Sequence, residues 1–284
     1  MYDLLILPFT EFLFLKRALM ACIALSLGAA PIGVFLVLRR MSLMGDAISH
    51  SALPGVAIGY AISGLSLTAM SCGGLIAGLF VALSAGWVSR KTILKEDASL
   101  VGFYLIALAA GVIIVTMNGT KIDLMHILLG SILAINTDSL ILVATVSTIT
   151  LLTISLVFRA FILECFDPGF FRSIGGNGSI YHLLFIVLVV MNMVAALHAM
   201  GTLMALGLMM LPAITARLWV REVFHLCIVA TVTAILGSVF GLLLSYHFGW
   251  PSGPAIILLT GGIYVVSLFI APFGRIRLWG TLSS

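Results

Sequence analysis

Long runs without charge constrain this chain more than any other feature of its sequence. Nine apolar runs cover residues 18–38, 42–63, 68–88, 98–117, 139–158, 181–197, 202–216, 226–246 and 254–271. A helix needs roughly 20 apolar residues to cross a hydrocarbon core about 30 Å thick, because its backbone N–H and C=O groups must be satisfied internally. The runs predict an all-α integral membrane protein, a polytopic helical bundle of eight to nine transmembrane helices in one transmembrane domain over residues 1–284.

The composition excludes other broad classes. Apolar residues make up 62% of the chain and charged residues 8%, whereas soluble domains carry about 25% charged residues. The 14 basic residues are too scattered to form a nucleic-acid surface. The four cysteines form no C-x-x-C pair, so we expect neither a disulfide framework nor a thiolate metal site. The first ten residues contain no Lys or Arg, so we expect no cleaved secretory signal.

The basic residues indicate an orientation, because short cytoplasmic loops are enriched in Lys and Arg. Alternation between the nine runs leaves only Lys16, Arg17 and Lys121 outside. The eleven basic residues expected on the cytoplasmic side are Arg39, Arg40, Arg90, Lys91, Lys95, Arg159, Arg172, Arg217, Arg221, Arg275 and Arg277. We therefore expect an external N-terminus and a cytoplasmic C-terminus.

Three further expectations concern the bundle. Residues 1–15 should lie at the outer interface, and residues 124–137 are too short to cross alone. Small residues should let helices approach closely at Gly73-Gly74 with Gly78, and at Gly261-Gly262.

The longest cytoplasmic connection runs from about Arg159 to Ile180 and is predicted to contain a short helix. Asp167 followed by Pro168 is typical of a helix start, and Gly175-Gly176 of a helix end. Phe166, Phe170 and Phe171 are expected to be exposed and could dock a cytoplasmic partner. Alternatively, these rings pack back against the bundle or the lipid headgroups.

Asp46 is the one charged residue within the nine runs. A carboxylate in hydrocarbon costs at least about 2.5–3.5 kcal/mol, so Asp46 should face a cavity or the bundle interior. His50 follows at i+4 on the same helix face. Along the helix axis, Asp46 and His50 lie roughly 10–16 Å from the Arg39-Arg40 pair. Pro54 cannot donate to the His50 carbonyl, so the helix should bend or open there.

Asp46 and His50 could bind a divalent transition metal or handle protons near mid-membrane; alternatively, they pair and hold helices together. Two donors do not complete a metal shell. A second copy of the chain would supply two more. His126, His182, His198, His225 and His247 all fall near run ends and are expected to be interfacial. Met204, Met209 and Met210 are expected to pack rather than bind copper.

These residues carry a family resemblance. The segment MSLMGDAISHSALPGVAIGY, residues 41–60, resembles the signature of the permease subunits of ABC importers for zinc, manganese and iron. Residues 201–217 are similar to the later G-x-L and L-P-A-x-x-A-R segment of that family. The sequence FDPGFFRSIGG lies where such permeases carry the element that contacts the ATPase.

The resemblance implies the ABC importer permease fold and a homodimeric pore in the bacterial plasma (inner) membrane. It implies a cytoplasmic ABC ATPase dimer, an extracytoplasmic metal-binding protein and no permanently bound cofactor. The transported ion would be manganese or zinc, with iron a further candidate, passing between Asp46 and His50 of each copy. Coupling to the ATPase would involve Glu164, Phe166, Asp167, Phe170, Phe171 and Arg172.

The chain itself is not expected to be an enzyme, because it contains no G-x-x-x-x-G-K-[ST] phosphate loop. A gradient-coupled secondary metal transporter and a passive channel remain alternatives from the residues alone. An intramembrane protease is disfavoured, because that chemistry needs a second aspartate at depth.

Overall fold

The computed structural model describes residues 12–64, 66–117 and 135–273. These residues form eleven helices, numbered here in chain order. They are α1 (Leu13–Leu38), α2 (Met44–Ser51), α3 (Leu53–Ser63), α4 (Leu67–Lys91), α5 (Glu96–Met117), α6 (Thr137–Phe166), α7 (Pro168–Ser173), α8 (Gly178–Met200), α9 (Thr202–Trp219), α10 (Val223–Phe248) and α11 (Ser252–Ile270).

Eight of these helices are long and apolar enough to cross a membrane, namely α1, α4, α5, α6, α8, α9, α10 and α11. The remaining predicted run, 42–63, is occupied by two short helices, α2 and α3. This agrees with the expected eight to nine spans and with the all-α class. Residues 1–11 and 118–134, Lys121, Arg275 and Arg277 lie outside the described residues, as does most of the short segment 124–137.

Helices α1 and α8 are the most buried and lie at the centre of the bundle. Helix α1 packs against α6, α9 and α10, and α8 packs against α4 and α6. Phe35 of α1 is fully buried and makes edge-to-face contacts with Phe161 and Phe185, with centroid distances of 5.6 and 6.4 Å. Such ring pairs stabilise a core beyond their buried area.

Helix α6 is longer than its apolar run predicts. It continues to Phe166 instead of ending near residue 158, and its 30 residues extend about 45 Å. No helix breaker occurs before Asp167-Pro168, so the backbone stays helical past Arg159. The predicted connection from Arg159 is therefore mostly helix.

Close packing at small residues is confirmed for one of the two predicted groups. Gly55 in α3 and Gly73 in α4 approach so closely that a Cβ added to either would overlap the carbonyl oxygen of the other. The expectation for Gly261-Gly262 is wrong within the described residues, because open space lies beside both. The Gly55-Gly73 contact positions α3 firmly on α4.

Candidate functional site: the α2 helix and the α7 segment

The candidate metal site lies on α2, which the single residue Ala52 separates from α3. Hydrogen bonds run from Ala52 N–H to the Ile48 carbonyl and from Val56 N–H to the Ala52 carbonyl, 3.0 Å each. Pro54 stands at the start of α3, where its missing N–H removes the donor for the His50 carbonyl. The helix is interrupted at Ala52, two residues before Pro54, although Ala52 keeps right-handed helical angles of φ −72° and ψ −24°.

Asp46 and His50 face each other on one side of α2. His50 Nε2 lies 3.5 Å from Asp46 Oδ1. Their side chains are 29% and 47% exposed for His50 and Asp46 in a single chain, so the pair lies at the surface of the protomer. Asp46 is in the first turn of α2 and His50 in the last. These positions favour an anion and a cation respectively, because of the helix dipole.

The start of α2 differs from the expected start at residue 42. A turn precedes it, and the helix begins at Met44. Asp46 therefore lies about 3 Å, and His50 about 9 Å, along the axis from the start of α2. If a helix had begun directly after Arg40, Asp46 and His50 would lie further from its start than they do from the start of α2.

Two residues that the sequence reasoning missed hold the site in place. The ring of Tyr104 in α5 stacks on the His50 imidazole, with centroids 6.3 Å apart and an interplanar angle of 28°. Ser49, which is buried, donates to the Gly45 carbonyl at 2.9 Å and contacts Met193 Sδ at 3.6 Å. Tyr104 could have been noticed in the sequence, because it places an aromatic ring with a hydroxyl group inside the apolar run 98–117.

Within the part of the chain that the structure describes, no third His, Cys, Asp or Glu side chain joins this pair. Across residues 12–64, 66–117 and 135–273, no group of three or more His, Cys, Asp or Glu could hold a metal ion. His225 pairs with Glu222 at 2.8 Å, and His198 Nδ1 lies 2.9 Å from the Val194 carbonyl oxygen.

Methionines close to α2 pack as expected. Met204 and Met209 are each 1% exposed. The methyl groups of Met193 and Met209 lie against Gly45, next to Asp46. They fill the space between helices, which is the usual role of flexible methionine side chains.

Helix α7 confirms the predicted short helix in the connection. The Asp167 side chain caps it by accepting from Phe170 N–H at 2.8 Å. At its end, Gly175 N–H donates to Arg172 O at 3.0 Å and Gly176 N–H to Phe171 O at 2.9 Å. Gly175 has φ 83°, so the two bonds form a Schellman motif at the predicted stop.

The three phenylalanines around α7 differ in exposure. Phe166 and Phe170 are 61% and 52% exposed, as expected. Phe171 is buried, against the expectation, and packs edge-to-face on Tyr181 of α8 at 5.4 Å. A six-residue helix lying on the bundle must turn one side inward, and Phe171 occupies that side.

The remaining residues of this segment surround α7. Asp167 and Arg172 are exposed, and Glu164 is partly buried in the last turns of α6. Glu164 lies against Gly178, the first residue of α8, and its Oε2 is buried without a hydrogen-bond partner in the described part of the chain. Exposed aromatic and charged groups on a short helix suit a protein contact.

The sequence matches one protein family and several of its members over nearly its full length. The profile of the ABC 3 transport family matches residues 11–271. The manganese import system permease protein ScaB of Streptococcus parasanguinis is 34% identical over 265 residues, which are 93% of each chain. The chelated iron transport system membrane protein YfeD of Yersinia pestis is 31% identical over 268 residues, 94% of this chain and 89% of that protein.

A solved structure also matches over nearly the full length. The structure described as PsaBC from Streptococcus pneumoniae in complex with Fab gives a TM-score of 0.84 at 32% identity. The match covers 95% of this chain and 96% of that chain.

Proposed function

The chain belongs to the ABC 3 transport family, and from this premise we propose that it forms the pore of an ATP-driven importer for a divalent transition metal. It is a multi-pass membrane protein and the permease subunit of a metal ABC importer, not an enzyme. ATP hydrolysis is the task of a separate ATPase subunit.

The Asp46–His50 pair carries the proposal. A carboxylate oxygen and an imidazole nitrogen 3.5 Å apart can bind the same ion after a small side-chain rotation. The contacts of partly buried Tyr104 and buried Ser49 hold the helix that presents the pair. Both side chains are partly exposed in the single protomer, so an ion bound between them would have part of its coordination shell left open to other ligands.

A second copy of the chain completes the shell in this proposal. Around a two-fold axis, each protomer contributes Asp46 and His50, which gives four ligands at one shared site. The partial exposure of both side chains supports this arrangement. We place the shared site within the membrane, where water would be excluded once the pore closed.

Manganese is the proposed cargo. Two relatives over nearly full length are named for manganese and for chelated iron. Carboxylate ligands suit manganese and imidazole suits iron and zinc, and no cysteine lies beside the pair in the described residues. Iron is the second candidate, and zinc is supported by the donor chemistry alone.

The proposed cycle is alternating access. An extracytoplasmic metal-binding protein delivers the ion to the side of the pore away from α7, and the ion passes between the two α2 helices. The cytoplasmic ATPase dimer docks on α7, with Phe166 and Phe170 as apolar anchors and Glu164, Asp167 and Arg172 as charged neighbours. Phe171 anchors α7 to the bundle, so that movement of the ATPase reaches α8.

This cycle fixes the proposed orientation. The α7 end of the bundle faces the cytoplasm, and the start of α1 lies at the opposite face with the N-terminus outside. The basic residues on the α7 side then satisfy the positive-inside rule. The membrane is a bacterial plasma membrane in this proposal.

Transport in vesicles tests the function. Vesicles carrying the chain, its ATPase and its binding protein are supplied with manganese, iron or zinc, with and without ATP. We expect ATP-dependent manganese uptake that Asp46→Ala and His50→Ala each abolish, with the homodimer still assembled. His225→Ala is the matched control, because it also removes an imidazole beside an acidic side chain but on a different helix, α10. Uptake without ATP would instead indicate a secondary transporter or a channel.

A further inference from the structure

A single guanidinium group joins three helices at the α7 end of the bundle. Arg39, the C-cap residue of α1, donates from Nε to Cys165 Sγ of α6 at 3.1 Å. Its Nη1 lies 2.8 Å from His182 Nδ1 of α8, and its Cζ lies 4.4 Å from the centre of the Phe185 ring. Arg39 is partly buried, so these contacts are shielded from solvent.

The contact continues through His182 to a fourth helix. His182 Nε2 lies 3.1 Å from Glu96 Oε1 of α5, and the two side chains are only 14% and 25% exposed. A guanidinium group can donate but not accept. His182 Nδ1 must therefore accept from Arg39, and the ring proton must lie on Nε2 and be donated to Glu96. Arg39, His182 and Glu96 thus form a series of two hydrogen bonds from α1 through α8 to α5, in which Arg39 donates to His182 and His182 donates to Glu96.

In the sequence, helix α7 lies between the two residues whose side chains hydrogen-bond to Arg39, namely Cys165 and His182. Cys165 is near the end of α6, three residues before α7 begins. On the other side, Phe171 of α7 packs on Tyr181, the residue before His182. A displacement of α7 would therefore move both groups that Arg39 contacts.

Arg39 also stands directly before the helix that carries the metal site. Arg40 N–H donates to Val37 O at 3.2 Å and Met41 N–H to Leu36 O at 3.0 Å, which closes a Schellman turn. Arg40 adopts φ 60°, which is costly for a residue with a Cβ and persists only where the surrounding structure fixes it. Met44, the first residue of α2, then donates to Met41 O at 3.0 Å. The link from Arg39 to α2 is short and tightly bonded.

We propose that Arg39 and His182 form a positioning junction that transmits movement of α7 to α2, and so couples ATP hydrolysis to release of the ion. This inference rests on the proposed function. The junction touches neither the ion nor the ATPase; it acts through the turn that precedes α2. Cys165 fixes the orientation of the Arg39 guanidinium, and Glu96 fixes the orientation of the His182 imidazole.

The distinguishing measurement is the number of manganese ions transported per ATP hydrolysed by the full complex in vesicles. His182→Asn places an amide oxygen near the Nδ1 position and keeps the acceptor for Arg39. His182→Gln places an amide nitrogen near the Nε2 position, keeps the donor for Glu96 and loses that acceptor. We expect ions per ATP to fall about tenfold in His182→Gln and in Arg39→Lys, the effect of one lost hydrogen bond to a charged group, and to change less than about twofold in His182→Asn.

Two further readouts separate coupling from folding. Manganese affinity without nucleotide and assembly with the ATPase should stay within about twofold of the unaltered complex in all three variants, because the packing of α2 does not depend on this one bond. His225→Gln is the matched control, since it alters an exposed histidine paired with a glutamate on α10.

Three outcomes would overturn the junction. One is an unchanged ratio of ions to ATP in His182→Gln. Another is equal loss in His182→Asn and His182→Gln together with loss of assembly, which indicates a brace for the fold only. The third is an unaltered complex without ATP-driven uptake, which would refute the proposed function as well, whereas the first two leave it standing.

Discussion

One added methyl group at Gly55 should separate α3 from α4. A Cβ at this position would overlap the Gly73 carbonyl oxygen and also approach the Ala77 Cβ to 2.7 Å. A backbone carbonyl cannot rotate away as a side chain can, so Gly55→Ala must move a whole helix. Overpacking of this kind costs about 1–3 kcal/mol, which changes the unfolding equilibrium by a factor of about five or more.

Two other glycines provide matched controls. An added Cβ at Gly45 would meet the terminal methyl groups of Met193 and Met209, both at 2.8 Å. Those ends are flexible and can rotate aside, so Gly45→Ala should cost less. Gly261→Ala meets open space in the middle of α11 and should be neutral or stabilising by up to about 1 kcal/mol, because alanine favours a helix.

Thermal unfolding of the purified chain in lipid nanodiscs, followed by the fluorescence of its four tryptophans, measures this order. The melting temperature should be highest for Gly261→Ala and the unaltered chain, lower for Gly45→Ala and lowest for Gly55→Ala. Manganese affinity should fall in parallel for Gly55→Ala, because α3 continues directly from α2. An unaltered melting temperature for Gly55→Ala, or equal losses for Gly45→Ala, would refute the packing argument.

Phe170→Asp should weaken co-purification with the ATPase by about tenfold or more, as for a central interface anchor, with metal binding intact. Equal co-purification would place the docking surface elsewhere. Phe171→Asp should instead lower the melting temperature, since it puts a carboxylate into the buried contact with Tyr181; an unchanged melting temperature would contradict that packing.

The sequence predicts those features that a local rule controls. Hydrocarbon requires long uncharged runs, so all eight long helices could be located from the sequence, with most ends within a few residues and the end of α6 as the main exception. The i, i+4 spacing brought Asp46 and His50 together, and the structure puts them 3.5 Å apart. Asp167, Pro168 and Gly175 likewise predicted both ends of α7 from capping chemistry alone.

Features set by tertiary packing could not be predicted in the same way. Arg39 meets His182 across 143 residues, and nothing local to either residue indicates the partner. Which of Phe170 and Phe171 turns inward depends on how α7 lies against α8. The end of α6 was placed too early, because an apolar run marks the membrane rather than the helix, and α6 continues past Arg159.

The stoichiometry of bound manganese tests the shared site most directly. The purified permease, in its native oligomeric state, is titrated with manganese, and the bound ion is counted against chain concentration, with Asp46→Asn alongside. The account predicts one ion per two chains, bound to Asp46 and His50 of both copies, and no such binding in Asp46→Asn. One ion per single chain, or binding that survives in Asp46→Asn, would contradict it.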